Sequence, residues 1–441
     1  MVNLKLRQSV VWCNVALLLA LVAGVRSAQS QSPSPGKPLI FDTYTPGSCS
    51  PNGQPHGGCV PGELVRIRVV TIATGLVHPW HIAFLPDGHT MLVTELPGRL
   101  RIIRDGQLDP KPIAGWPAAS LQALTLNSVL VHPQFEQNHL VYLSYTKARE
   151  KTGTTPAATT LALATGHLEG NALTDVRDVF IADAWEPPGG AMAGRAAFGP
   201  DGMVYLAVGD RDRFGRTDDN RGRMLAQDLS NDVGKVLRIR DDGSIPADNP
   251  FVDHAGAKPE IYTYGHRNVY GLAWHPQTGA LWECEMGPMG GDEINILLPG
   301  RNYGWPLVSF GKIYNGNPVS EQSWFRPGME MPVMFWVPAV SPSSLIFYTG
   351  DRFPLWKGHL FMGTLAGQQL QRIAFNQPPP QAERRESLLT QLDVRIRDVR
   401  QGPDGFIYIT TEKATEGTTP DGRHDAPDPP NGTILRIEPA E

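Results

Sequence analysis

The chain repeats one short pattern of apolar and polar positions six times. Each copy has an apolar residue, a turn of the Pro-Asp-Gly type, and then a run in which apolar residues alternate with others. Examples are "FLPDGHTMLVTE" (84–95), "FGPDGMVYLAVGD" (198–210) and "QGPDGFIYITTE" (401–412); the other copies begin at 131, 274 and 347. Proline fixes φ in such a turn and glycine supplies positive φ, while alternation with β-branched and aromatic residues is typical of strands. The pattern therefore predicts six hairpins in an all-β chain.

Six hairpins at this spacing predict a six-bladed β-propeller, whose closed ring leaves few exposed sheet edges. The repeats are longer than four strands require, so we expect long loops on one face. The runs "VRIRVVTIA" (65–73) and "GTILRIEP" (432–439) are also strand-like. We expect them to pair in one blade and close the ring, giving a propeller over 65–441. The alternative is a two-sheet sandwich whose turns resemble one another by chance.

The first 64 residues differ from the repeat region. Residues 1–30 are typical of a secretory signal peptide, because Lys5 and Arg7 precede the apolar run Val15–Val25 and small residues follow it. A run of this length is too short to span a bilayer, and the alternative is a buried N-terminal helix. Residues 31–64 form a Pro/Gly/Ser-rich arm in which Cys49 and Cys59 flank a turn-rich loop, as a local disulfide would. We expect a periplasmic or secreted protein with no membrane insertion.

Composition and the absence of certain motifs exclude several classes of function. The 441 residues are 41% hydrophobic and 19% charged, enough for a large buried core. A formal net charge of −5 argues against nucleic acid as a partner. The sequence contains no zinc-protease, nucleophile-elbow or phosphate-loop motif. These classes are therefore excluded as leading interpretations.

Polar residues that stand where strands begin are candidates for function, because a propeller gathers these strand ends around one central mouth. Arg267 and Asn268 stand just before an apolar strand in "YGHRNVYGLAWHP". The planar guanidinium suits carboxylate, phosphate or quinone oxygens, although Arg267 would also suit an ion pair with an acid of a neighbouring blade. Arg395 and Arg397 are two apart and share one face of a strand. Two like charges on one face are unfavourable unless an anion meets them, so the pair favours an anionic ligand.

The segment "EMGPMGGDEINILLPGRNYGW" (285–305) joins glycine-rich backbone to Asp292, Glu293 and Tyr303. Backbone carbonyls beside carboxylates are hard oxygen ligands, which suit Ca²⁺. The alternative interpretation is a solvated turn.

Taken together, these segments resemble the soluble pyrroloquinoline quinone (PQQ)-dependent glucose/sorbosone and aldose sugar dehydrogenases. The resemblance covers about 65–438 and rests on "GLVHPWHIAFLPDGHTMLVTELPGRLRII", "RAAFGPDGMVYLAVGDR", "YGHRNVYGLAWHPQTGALWE", "GGDEINILLPGRNYGWP" and "RIRDVRQGPDGFIYITTE". It implies a six-bladed propeller that holds PQQ and Ca²⁺. The implied activity is oxidation of an aldose to its lactone with an external electron acceptor, in a monomer or homodimer.

The resemblance also implies roles for individual residues. Trp336 would stack on the quinone, and the arginines would meet its carboxylates. The backbone carbonyls of Gly287 and Pro288 would hold one Ca²⁺, and Glu293 and Tyr303 would belong to a second, structural Ca²⁺ site. The implied cofactor-binding residues are Arg267, Asn268, Trp336, Arg395 and Arg397.

The chain departs from the family pattern at the catalytic position. The family's general base is a histidine four residues before the arginine of the "RxxFGPDG" strand, and here that position is Ala191. The aspartate that orients this base is present as Asp210, and a glutamine of the mouth is replaced by Ala123. His81, at the start of a first-blade strand, is a hypothetical substitute base, so the predicted catalytic residues are Asp210, Arg267 and His81. Two alternatives stay open: a weak or inactive propeller that binds a sugar, cofactor or partner, and a calcium-dependent lactonase.

Overall fold

A computed structural model describes residues 39–42, 65–154, 157–212, 221–320, 324–375, 382–413 and 431–440. These residues form 25 strands in six antiparallel sheets, with only short helices between them. The helices are α1 (Ala118–Leu121), α2 (Phe135–Asn138) and α3 (Arg221–Met224), and the 3₁₀ turns are Leu225–Gln227, Pro354–Trp356 and Thr390–Leu392. No helix in the described ranges is long and apolar enough to cross a membrane. The predicted six-bladed propeller is confirmed.

Five of the blades are meanders of four consecutive strands, and the sixth combines both ends of the chain. The ends of the chain begin with β1 (Leu39–Asp42) and β2 (Arg66–Leu76). Blade 1 holds β3 (Pro79–Phe84), β4 (Thr90–Glu95), β5 (Arg99–Arg104) and β6 (Gln107–Leu108), and blade 2 holds β7 (Ala123–Val131), β8 (Leu140–Arg149), β9 (Ala158–Glu169) and β10 (Ala172–Ile181). Blade 3 holds β11 (Ala193–Phe198), β12 (Val204–Val208), β13 (Lys235–Ile239) and β14 (Ile261–Tyr264), and blade 4 holds β15 (Val269–Trp274), β16 (Leu281–Glu285), β17 (Asp292–Leu297) and β18 (Met334–Trp336). Blade 5 holds β19 (Pro342–Phe347), β20 (Leu360–Thr364), β21 (Leu370–Phe375) and β22 (Ala382–Leu388), and blade 6 adds β23 (Arg395–Gln401), β24 (Ile407–Glu412) and β25 (Gly432–Pro439) to β1 and β2.

The ring closes where the sequence predicted. Strand β2 pairs antiparallel with β25, with Thr71 opposite Leu435. The first strand of each blade lies next to the first strand of the following blade, and β23 returns to β3. The expected signal peptide (1–30), the Cys49–Cys59 disulfide and most of the N-terminal arm lie outside the described residues.

The repeated turn has the same construction in its different copies. Gly88, Gly202 and Gly405 have φ of 78°, 77° and 80°, a region that an L-residue with a side chain rarely adopts. The aspartate of each turn accepts a backbone hydrogen bond two residues on, as when Asp201 Oδ1 accepts the Met203 N–H at 3.2 Å. The turn residues therefore set the hairpins locally, as the sequence pattern predicts.

A buried polar network on the propeller axis joins all six blades. It is built around Arg195 of blade 3, whose side chain is 1% exposed. Its guanidinium donates to the Tyr270 carbonyl at 2.5 Å, to the Ser343 carbonyl at 2.9 Å and to Asp398 Oδ1 at 3.2 Å. Asp398 Oδ2 in turn accepts the Ile82 N–H of blade 1 at 2.9 Å. This single arginine thus contacts blades 4, 5 and 6 directly and blade 1 through one carboxylate.

His81 completes the network on blades 1 and 2. Its Nδ1 accepts the Val129 N–H at 3.0 Å, and its Nε2 contacts the Arg400 guanidinium. Burial, then the charges of Arg400 and Arg195, hold the pKa of His81 well below its usual value of 6.5. The folded protein therefore keeps this imidazole neutral.

We expect the stability of the protein to fall as the pH drops below about 6.5, in part through His81. Below that pH the unfolded chain binds a proton at His81 that the folded chain does not bind, so unfolding gains up to about 1.4 kcal/mol per pH unit from this group. The variant His81→Asn keeps an acceptor for Val129 and loses this part of the slope. Urea unfolding between pH 5 and 7.5 measures both slopes. His89→Asn, on an exposed turn, is the control; equal slopes in His81→Asn and the wild type would contradict the expectation.

Candidate functional site

The predicted mouth residues Arg267 and Asn268 lie between β14 and β15, and Arg267 is buried at 4% exposure. The guanidinium Nη1 donates to the carbonyls of Met286 and Gly287, both at 2.9 Å. Its Nε and Nη2 are buried and have no hydrogen-bond partner, and neither has Asn268 Oδ1. A buried guanidinium with two unused donors is costly unless a ligand meets it. The two unused donors of Arg267 fit an anionic, oxygen-rich group such as a quinone carboxylate, whereas Asn268 Oδ1 offers only an acceptor.

Asp210 follows β12 and is held against Arg267. Its Oδ2 accepts the Trp305 indole N–H at 2.8 Å, and its backbone N–H donates to the Arg267 carbonyl at 2.8 Å. Burial raises the pKa of Asp210 to about 7, with Asp212 adding to the rise and Arg267 opposing it. The carboxylate is therefore poised to gain or lose a proton near neutral pH.

Ala191, the position of the family's base, lies beside this carboxylate. Its backbone N–H donates to the Asp212 carbonyl at 3.1 Å, and its carbonyl accepts the Arg211 N–H at 3.2 Å. A side chain built on Gly209 would come within 2.5 Å of the Ala191 carbonyl and 3.0 Å of Asn268 Oδ1. The structure thus brings Ala191, Asp210 and the Arg267–Asn268 pair together at one point of the ring.

The arginine pair of β23 meets an anion that the chain itself supplies. Arg397 Nη2 donates to Glu412 Oε1 at 2.7 Å, and Arg395 Nη1 lies 4.0 Å from the same oxygen. His78 contacts the other oxygen of this carboxylate. Burial alone would raise the pKa of Glu412, but Arg397 and His78 lower it to about 2. Glu412 therefore compensates one of the two positive charges of the pair, and the role of the pair toward a cofactor stays a prediction.

Trp336 ends β18 and packs mainly in the apolar core between blades 4 and 5. The guanidinium of Arg385 lies 4.9 Å from its ring centre. The Trp336 carbonyl accepts the Gly291 N–H at 2.8 Å, which places its backbone next to the 287–291 loop. Its predicted stacking on a quinone requires that one ring face be open to the mouth, and this stays a prediction.

One of the predicted calcium ligands in the 287–291 loop, the Gly287 carbonyl, already has a partner within the protein. The Gly287 carbonyl carries the Arg267 guanidinium, so a cation on this oxygen would stand against a positive charge. In this arrangement the Gly287 carbonyl does not fit a Ca²⁺ ion unless Arg267 moves away, and the role of the Pro288 carbonyl stays a prediction. The Tyr303 hydroxyl donates to the Ile296 carbonyl at 2.6 Å and accepts the Leu298 N–H at 2.8 Å, so only its backbone remains for a metal.

Glu293 belongs to a buried acidic cluster with Glu283 and Glu285, between blades 3 and 4. Burial first, and then the charge of Glu285, raises the pKa values of Glu283 and Glu293 well above those of a free glutamate. Glu283 is a residue that the sequence analysis missed. The signal was available in "LWECEM", where two acids occupy alternate positions of an otherwise apolar strand.

The hypothetical substitute base His81 is placed in the axial network. Both of its ring nitrogens are engaged and the side chain is buried. No nitrogen is left to take a proton from a substrate, so this placement disfavours His81 as a base. Trp305, by contrast, reaches Asp210 from the long connection between β17 and β18; it lies in the family segment "GGDEINILLPGRNYGWP", but the sequence analysis gave it no role.

The chain is similar to known proteins over most of its length. The model of the family described as glucose/sorbosone dehydrogenase matches residues 76–418. The aldose sugar dehydrogenase of Escherichia coli K12 is 38% identical over 356 residues, covering 79% of this chain and 91% of that protein. The quinoprotein glucose dehydrogenase B of Acinetobacter calcoaceticus is 26% identical over 419 residues, covering 80% and 86%. The PQQ-bound aldose sugar dehydrogenase of Streptomyces coelicolor superposes with a TM-score of 0.65 at 28% identity, covering 86% of this chain and 99% of that one.

Proposed function

The chain belongs to the glucose/sorbosone dehydrogenase family, and we propose that it is a PQQ-dependent, aldose sugar dehydrogenase-like oxidoreductase of the periplasm or cell exterior. The proposed reaction oxidises an aldose to its lactone and passes the electrons to an external acceptor. The observation that carries the proposal is the buried Arg267 guanidinium with two unused donors, in the mouth of a propeller shared with sugar dehydrogenases. Calcium belongs to the proposal because the family resemblance implies it, and the Gly287 carbonyl would hold it only with the Arg267 guanidinium moved away.

When bound, the quinone supplies the hydride acceptor, and the residues of the mouth bind and orient the quinone and the sugar. Arg267 offers Nε and Nη2 to the cofactor's oxygens, and Asn268 Oδ1 offers an acceptor. Asp210, fixed by the Trp305 indole, is the titratable carboxylate beside the empty base position at Ala191. Position 191 therefore offers no imidazole to receive the proton of the sugar hydroxyl.

We expect Arg267→Met to weaken PQQ binding at least ~10-fold, because a hydrogen bond to a charged donor contributes about 1.5–3 kcal/mol. The measurement is a titration of the purified protein with PQQ in the presence of Ca²⁺, followed by quinone absorbance. Arg301→Met is the matched control, since that side chain is 59% exposed and paired only at 3.7 Å with Glu330. Equal affinity of Arg267→Met and the wild type would overturn the assigned cradle, and no binding by the wild type would overturn the proposed function.

A second candidate is a propeller that retains the cofactor or a sugar without turning it over. Ala191 favours it, because the loss of a general base typically costs ~10²–10⁴-fold in rate. An aldose panel with a dye acceptor separates the two candidates once PQQ binding has been measured. Binding with turnover identifies the dehydrogenase, and binding without turnover identifies the retained cradle.

A further inference from the structure

A second cluster of chemistry-bearing side chains lies between blades 3 and 4, behind the mouth. Strands β16 and β17 pair so that Glu285 stands opposite Glu293, and Glu283 opposite Asn295. His266, from the turn after β14, packs against them, and its ring stacks on Tyr303 with 4.8 Å between the ring centres. His266 and Glu283 are both 0% exposed. Acidic side chains on adjacent strands thus converge in a dry interior.

The hydrogen bonds of the cluster are incomplete. Glu283 Oε1 accepts the Asn295 Nδ2–H at 2.7 Å, but Glu283 Oε2 and Asn295 Oδ1 are buried with no partner. His266 Nε2 is engaged by the Thr263 hydroxyl at 2.9 Å, which leaves Nδ1 facing Glu285 Oε1 at 3.3 Å. An unpaired buried carboxylate oxygen is among the most costly groups to leave unsatisfied. Glu283 Oε2 and Asn295 Oδ1 therefore lack a group that accepts electron pairs, such as a hydrogen-bond donor or a metal ion.

No lysine or arginine side chain of the described residues forms an ion pair with Glu283, Glu285 or Glu293; the only ion-pair partner among them is His266. Arg267 reaches Glu285 only through its backbone N–H, at 2.6 Å, because its guanidinium points to the Gly287 carbonyl. Carboxylates this close together in a low dielectric repel strongly, and the repulsion is relieved either by protons, as the raised pKa values of Glu283 and Glu293 indicate, or by a cation that displaces those protons. A bound metal ion would supply that cation.

We propose that His266, Glu283 and Glu285 bind a first-row divalent metal ion such as Zn²⁺ or Mn²⁺. One ligand atom of each residue lies within 4.8 Å of those of the other two. An ion bonded at about 2.1 Å in tetrahedral geometry holds its ligand atoms about 3.4 Å apart, so it would draw these atoms together by up to about 1.4 Å. The imidazole nitrogen favours such a metal over Ca²⁺, which prefers oxygen ligands. The unpartnered Asn295 Oδ1 lies beside the site as a further oxygen donor.

This site goes beyond the proposed function. It uses neither the Gly287 and Pro288 carbonyls nor Tyr303, and it does not depend on PQQ. The position of the site indicates the role of the ion, which would join β16 of blade 4 to the turn that follows β14 of blade 3. Glu285 also accepts the Arg267 N–H, so the ion would fix the backbone that presents Arg267 to the mouth.

The experiment measures the metal content of the full chain and the dependence of its thermal stability on metal. Protein freed of metal with a chelator is incubated with Zn²⁺, Mn²⁺ or Ca²⁺ alone, desalted and analysed by mass spectrometry of the metal. We expect about one Zn²⁺ or Mn²⁺ per chain, with a thermal midpoint that rises with metal concentration. Glu283→Gln should weaken binding at least ~10-fold and abolish that rise. Because it also removes an unpaired buried charge, it should raise the midpoint of the metal-free protein.

Two further variants keep the proposal falsifiable if Glu283→Gln does not fold. His266→Gln should lose the preference for Zn²⁺ over Ca²⁺. Glu438→Gln, a buried glutamate of β25 paired with Arg68 and Arg436, should leave the metal content unchanged. Wild-type protein that retains no Zn²⁺ or Mn²⁺, or that retains only Ca²⁺, overturns the proposal. Metal content unchanged in both Glu283→Gln and His266→Gln overturns it as well.

Discussion

Ala191→His should raise the rate of aldose oxidation at least ~10-fold, and towards the ~10²–10⁴-fold that a positioned general base contributes. The setting for the new imidazole is already present. Ala191 stands beside Asp210, whose carboxylate is fixed by Trp305 and has a pKa of about 7. Such a carboxylate can hold one ring nitrogen and leave the other for the sugar hydroxyl. The measurement is kcat/KM of the PQQ- and Ca²⁺-loaded protein with an aldose panel and a dye acceptor.

Two matched variants separate base catalysis from a change of shape. Ala191→Gln adds a side chain of similar size that cannot take a proton, and it should leave the rate unchanged. Ala191→His combined with Asp210→Asn should lose most of the gain, because the amide no longer favours the required tautomer. Adding Ala123→Gln tests whether the mouth needs its second missing polar group. A loaded Ala191→His protein with the wild-type rate would mean that the base is not the missing part.

The fold was predictable because its determinants are local. Gly88, Gly202 and Gly405 adopt the positive φ that the Pro-Asp-Gly pattern requires, and the strand that follows each turn alternates as expected. Ring closure was predictable from the same patterning, since strand-like runs stand at both ends of the repeat region, where the structure has β2 and β25. The sequence repeat therefore specified both the structure of a blade and the number of blades.

The candidate site was predictable only within single blades. Arg267 and Asn268 were found as polar residues at the start of a strand and Asp210 through the family resemblance, and the structure places them together. Contacts between blades were not foreseen, because the sequence does not show which side chains cross from one sheet to the next. Even within blade 6, the sequence did not show that Glu412 of the neighbouring strand supplies a carboxylate to the Arg395–Arg397 pair, where the same-face argument had assigned the anion to a ligand.

The cation sites show the same limit. Sequence spacing indicated hard oxygen ligands around 285–305, and the oxygens are there. Which of them are free depends on where Arg267 points, and it points at the Gly287 carbonyl. The unsatisfied oxygen belongs instead to Glu283, on the face of β16 turned toward blade 3. Local pattern thus finds the region, and only the packing of two blades identifies the ligands.

Arg195→Met should lower the free energy of unfolding by about 3–5 kcal/mol, the loss typical when one partner of a buried ion pair is removed. The guanidinium is the donor for Asp398 and for the carbonyls of Tyr270 and Ser343, contributed by three different blades. Methionine fills much of the same volume but donates nothing, so two carbonyls and part of a carboxylate become unsatisfied on the axis. Urea unfolding at pH 7.5 measures the effect.

The size of the loss depends on whether Asp398 keeps its charge without Arg195. Asp398→Asn combined with Arg195→Met should therefore cost less than the sum of the two single changes, since the Oδ1 left without Arg195 no longer carries charge; Arg400 pairs with the other oxygen, Oδ2, at 3.0 Å. Arg195→Lys keeps a charge but not the fork of donors, and it should fall between the wild type and Arg195→Met. Lys357→Met, which removes an exposed ion pair with Asp351, should change stability by no more than about 0.5 kcal/mol. If Arg195→Met costs as little as this surface change, the blades are held by their apolar interfaces, and the axial network does not stabilise the ring.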